Sequence, residues 1–132
     1  MRRTLTLLVI LVALALPAPA RASCASDAGP SGSDVVFLGT ASERRGGYTR
    51  FDVAEVWAGP DLAPSVWVQT GQDQPPWPMS WFVAVGSSVD IDPPEGKRLL
   101  VGADGAFRTN ACVVTDDRAR IEAQRPEGVR RP

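Results

Sequence analysis

The chain has 132 residues, of which 14 are Lys or Arg and 15 are Asp or Glu, with two cysteines, four tryptophans and no histidine. Without histidine there is no Ser-His-Asp triad, no Cys-His nucleophile pair and none of the common zinc ligand sets. Residues 23–132 carry 11 basic against 15 acidic side chains, and this acidic balance argues against nucleic acid as a partner, because phosphate contacts supply most of that affinity.

At the N-terminus, Arg2 and Arg3 precede an apolar run over residues 5–16, closed by Pro17, Pro19 and small residues. This is the layout of a secretory signal, and the run is too short to span a bilayer comfortably. Ala20-Arg21-Ala22 fits the small-x-small cleavage rule, so residues 1–22 are expected to be removed and Ser23 to begin the exported chain. A retained anchor is one alternative. Lipid attachment at Cys24 is another, although Arg21 stands where that motif needs an aliphatic residue. No later stretch is long and apolar enough for a membrane helix, so stable membrane insertion is not expected after cleavage.

The remainder reads as one domain over residues 23–117, followed by a short helix and a disordered tail over 118–132. Residues 23–117 hold 6 basic and 13 acidic side chains, against 5 and 2 in 118–132, so an acidic body carries a basic tail.

Short segments punctuated by Pro and Gly, with no sustained helical period before residue 116, predict an all-β fold. The first strand covers residues 34–40 and is entered from the Gly, Ser and Pro of 29–33. A turn over 43–47 leads into a second strand, 48–57, which ends at Gly59-Pro60. Phe51 and Val53 share one face of it, but the next position in phase is Glu55, while Val56 falls on the other parity. That slip predicts a bulge near Ala54 and Glu55. The third strand, 65–70, places Val66, Val68 and Thr70 on one face and Trp67 on the other. Residues 71–96 form a long insert rich in Pro, Gln, Ser and Trp, and inserts of this length are usually functional or mobile. A fourth strand over 98–102, a tight Asp104-Gly105 turn and a short fifth strand over 106–109 follow. Asp116 or Asp117 then caps a brief helix running through Gln124.

Two cysteines in an exported chain are expected to pair, so Cys24 and Cys112 are the candidate disulfide, two unpaired thiols being the alternative. Asp90 and Asp92, the nearest approach to a catalytic or calcium-binding carboxylate pair, read as a solvated loop, and no twelve-residue calcium loop is present. Arg44, Arg45 and Arg50 read as a solvated hairpin tip. Trp57 and Trp67, on strands, read first as core or as cover for a hydrophobic patch. Trp77 and Trp81, in the insert, are the leading contact candidates because Trp supplies large contact area to proteins or sugars, with Trp67 as a third.

Several short pieces in order resemble a known family. Ser23-Cys24-Ala25, Asp34-Val35-Val36-Phe37-Leu38-Gly39-Thr40, Phe51-Asp52-Val53 with Val56-Trp57-Ala58-Gly59, Gly96-Lys97-Arg98-Leu99-Leu100-Val101, and Thr109-Asn110-Ala111-Cys112 with Thr115 are similar to the bacterial proteins related to tissue inhibitors of metalloproteinases. Over residues 22–117 the resemblance implies a netrin-type module: an all-β, five-stranded OB-like (netrin/TIMP-like) barrel, here with a short C-terminal helix. The family's N-terminal Cys-x-Cys pair is incomplete in this chain. Ala22 stands in the first slot, and no cysteine occurs between residues 25 and 111. The resemblance therefore implies that the Cys24 to Cys112 link remains and that Ala22 stands where the animal inhibitors carry their zinc-chelating N-terminal cysteine; with cleavage after Ala22, the Ser23 amine is left as a candidate N-terminal contact.

The resulting expectation is a secreted, non-catalytic OB-fold binding module that needs no cofactor or metal and takes another protein as its partner. Alternatives are an extracellular glycan stacked on Trp77 and Trp81, or a metalloprotease inhibitor-like protein, which the missing cysteine disfavours. A small exported hydrolase is disfavoured by the missing histidine.

Overall fold

A computed structural model of the chain describes residue 24 and residues 29–73, 75, 78–79 and 86–132. The two longest strands, β1 (Val35–Arg45) and β2 (Tyr48–Ala58), form a hairpin closed by Gly46 and Gly47 alone, with Arg45 paired to Tyr48. The turn is tighter than the 43–47 expected because Gly46 supplies a φ of +58°. Gly47 permits a close approach: a Cβ there would lie 2.7 Å from the Gly71 carbonyl oxygen. The Thr70 and Gly71 amides both donate to the Gly47 carbonyl, at 2.9 and 3.0 Å, which fastens the chain leaving β3 to the hairpin tip.

With β3 (Ser65–Gln69), β4 (Arg98–Ala103) and β5 (Val114–Thr115), the hairpin builds a five-stranded antiparallel sheet in the order β3-β2-β1-β4-β5. Among the described residues the fold is all-β apart from a 3₁₀ turn at Gly29–Gly32 and one helix, α1 (Arg118–Gln124). The bulge anticipated near Ala54 and Glu55 is present: Leu38 faces Glu55 and Gly39 faces Val53, so Ala54 is skipped. Trp57 is skipped in the same way between Ala58 and Val56, and Ser42 is skipped in β1. Each extra residue bends its strand and adds twist, so the sheet curls around its own apolar face.

That inner face holds the main core, in which Phe37 and Phe51 meet edge to face at 5.7 Å among Val35, Val56, Val68 and Val101. Burying each ring contributes about 1.5–3 kcal/mol. The outer face carries a second, smaller cluster of Val36, Leu38 and Leu100, with Trp57, Ala58 and Ile121 packed on it. Ile121 comes from α1, whose N-cap is Asp117. Its carboxylate accepts from the Ala119 and Arg120 amides, as the capping pattern predicts. Helix α1 thus lies across the outside of the sheet.

Three expectations are corrected. Residues 106–109 do not form the fifth strand, which is instead Val114–Thr115. The Asp104 carboxylate accepts from the Ala106 and Arg108 amides and from the Arg108 guanidinium. Phe107 adopts a φ of +57°, so the segment is wound into a turn. Residues 126–132, expected to be disordered, return to β2, where Val56 and Arg130 exchange backbone hydrogen bonds of 2.8 and 3.0 Å. Strand β3 pairs with β2 only as far as Asp52, so the far edge of β2 is open at Val56 and the tail takes it. Finally, the sheet does not close on itself: β3 and β5 remain its edges. A parallel bridge, Gln69 to Arg108, links β3 to the segment after β4, with the Gln69 amide 2.8 Å from the Phe107 carbonyl oxygen.

Among the described residues, no helix is long and apolar enough to cross a membrane.

Candidate functional site

Ser23, Trp77 and Trp81 lie outside the described residues. Cys24 and Cys112 are bonded to each other, with 5.5 Å between their Cα atoms, and tie the N-terminal segment to the turn before β5. Asp90 and Asp92 are occupied locally. Asp90 accepts from the Ser87 amide at 2.7 Å, and Asp92 pairs with Arg44. No group of three or more potential metal ligands occurs among the described residues.

Trp67 is 40 % exposed and Tyr48 39 %. The β2–β3 register explains why they adjoin: Arg50 faces Trp67 and Tyr48 faces Gln69, so the two aromatics are diagonal neighbours on the outward face. The Arg45 guanidinium, from the hairpin tip, stands over the Trp67 ring at 5.8 Å. Arg45 also pairs with Glu43 at 3.2 Å. The tip arginines are therefore not only solvated: one builds a surface patch with Trp67 and Tyr48.

A second candidate lies on the outer face, where α1 leaves part of the sheet uncovered. The cleft has a volume of about 290 Å³ and a floor of Leu38, Trp57 and Ile121. Glu55 forms one wall. It is 8 % exposed, receives the Arg125 guanidinium at 2.7 Å on one oxygen, and the Trp57 indole N–H at 3.0 Å on the other. Both carboxylate oxygens are therefore satisfied, which is what a nearly buried charge requires. Asp116, at the rim, is held by Lys97 at 2.7 Å. The hydrogen bond and charge of that ammonium keep its carboxyl below the ordinary 3.8.

Arg98 of β4 and Arg118 of α1 also line this cleft, and neither guanidinium has an ion-pair or hydrogen-bond partner among the described residues. No known protein family, curated protein or solved structure matches the chain. The chemistry of the cleft therefore rests on its own residues. Both oxygens of Glu55 are taken by donors, whereas the guanidinium groups of Arg98 and Arg118 have no partner among the described residues and stand beside an apolar floor.

Sequence reasoning did not single out this cleft. The one available signal was the phase slip at Glu55, a carboxylate where β2 should have been apolar. The bulge at Ala54 turns that carboxylate outward, toward a helix more than sixty residues further along the chain.

Proposed function

We propose that this chain is an exported, non-catalytic binding module whose partner is another protein. The observation that carries the reading is the outward patch of Trp67, Tyr48 and Arg45, since these three residue types are the ones most enriched at protein interfaces and their hot spots. The glycan alternative rests on Trp77 and Trp81, which lie outside the described residues; at Trp67 the Arg45 guanidinium stands over one face of the ring. The Cys24–Cys112 bond fits an oxidising compartment and so supports export.

We also read the curled sheet as an OB-like barrel of the TIMP-related, netrin type. What supports this is the parallel bridge between Gln69 and Arg108, which brings the β3 edge toward the segment following β4, together with the disulfide at the place the family resemblance assigns it.

The test is capture from the producing organism's culture fluid by the protein and by its Tyr48→Ala/Trp67→Ala variant. A protein retained by the first and lost by the second is expected. Retention of the same protein by both, or binding only to glycans, would sink the reading.

A further inference from the structure

We propose that the cleft between α1 and the outer face of the sheet binds a carboxylate carried on an apolar group, with Arg98 and Arg118 holding the carboxylate and Leu38, Trp57 and Ile121 holding the apolar part. The charges decide the sign of the ligand. Glu55 is neutralised by Arg125 and Asp116 by Lys97, so the uncommitted charges at the cleft are Arg98 and Arg118 against the single carboxylate of Glu122. One positive charge is in excess, which matches a monoanion. The planar fork of a guanidinium matches the two oxygens of a carboxylate, and the two arginines come from different elements, so one ligand can engage both. The size decides its bulk. About 290 Å³ lies at the small end of ligand sites, room for one ring or branched side chain and the carboxylate attached to it. Two sources share this chemistry: a free aryl- or alkyl-carboxylic acid, and the C-terminus of a peptide ending in a hydrophobic residue.

The proposal deepens the binding-module reading at a second surface and rests on it only in treating the cleft as non-catalytic. The probes are small molecules, so partner capture through Trp67 can fail while this titration succeeds, and the reverse.

The experiment titrates the protein, purified as its producing cell makes it, with 3-phenylpropanoate and its neutral amide. N-acetyl-Ala-Phe with a free C-terminus and its amidated form make up the second arm. Calorimetry reads affinity, and methyl NMR signals of Leu38 and Ile121 report the location. At least one acid is expected to bind about tenfold more tightly than its amide and to shift both methyl sets, the tighter arm naming the source. Arg98→Gln/Arg118→Gln should abolish the preference for acid over amide, and Arg98→Lys should retain part of it. Equal affinity for acid and amide, or no methyl shift with either acid at about 10 mM, a concentration that detects even millimolar binding, would overturn the proposal. The acid-against-amide comparison on the unaltered protein decides the matter even if the double variant fails to fold.

Discussion

Thr49 and Thr70 show how one polar contact is built into an apolar core. Their side-chain oxygens lie 2.8 Å apart, with the residues 2 % and 1 % exposed, and together they join β2 to the chain leaving β3. A buried hydroxyl that loses its partner retains its desolvation cost, whereas replacing both hydroxyls with methyl groups removes the cost along with the bond. Thr49→Val alone is therefore expected to lower stability by about 1–3 kcal/mol, and Thr49→Val/Thr70→Val to recover most of that loss. Urea denaturation of the two single variants and the double gives the answer, and simple additivity of the losses would contradict it. Glu55 follows the same logic with a charge in place of a hydroxyl: it is tolerated inside because Arg125 and Trp57 meet both of its oxygens.

Among the elements, the C-terminal segment contributes more than its length implies. Ile121 covers the outer apolar cluster, Arg125 neutralises Glu55, and Arg130 pairs with Val56 while its guanidinium reaches Asp61 at 2.5 Å and the Gly59 carbonyl at 2.6 Å. A basic tail held on an acidic body accounts for the uneven charge of the two parts. Removal of residues 125–132 is expected to cost roughly 2–3 kcal/mol. That is less than the 3–5 typical of breaking a fully buried pair, because Arg125 is itself nearly half exposed. The Val56 amide, which donates to the Arg130 carbonyl, should lose its protection from hydrogen exchange in the shortened chain. Unchanged protection there would mean that the tail does not hold the β2 edge in solution.

At the scale of the whole molecule, an open, curled sheet of this size has a modest core, and its covalent staple matters correspondingly. The Cys24–Cys112 bond spans a separation of 88 residues, so constraining the unfolded chain contributes about 4 kcal/mol in the chain-entropy picture. Cys24→Ser/Cys112→Ser is expected to lose stability of that order while the folded sheet is retained. A loss below about 1 kcal/mol, measured by guanidinium denaturation, would show that the unfolded chain is already compact near its ends.

The sequence already contained the all-β class, the places of β1 to β4, a bulge near Ala54 and Glu55, and a helix cap at Asp116 or Asp117. It also identified the disulfide partners. Each of these is local, or a matter of elimination: alternation and its interruption at Glu55 are visible within ten residues, and two cysteines leave one pairing. The place of the fifth strand was not legible along the chain, because Asp104 diverts the amides of Ala106 and Arg108 into a turn. The course of the tail was likewise set by an edge of β2 that β3 is too short to cover. The outer cleft brings together Glu55, Arg98, Arg118 and Arg125 from two strands, α1 and the residue that caps its end, and no periodicity records that meeting. Nothing along the chain sets Arg98 and Arg118 apart; that their side chains line an apolar floor with no partner among the described residues is a property of the folded surface.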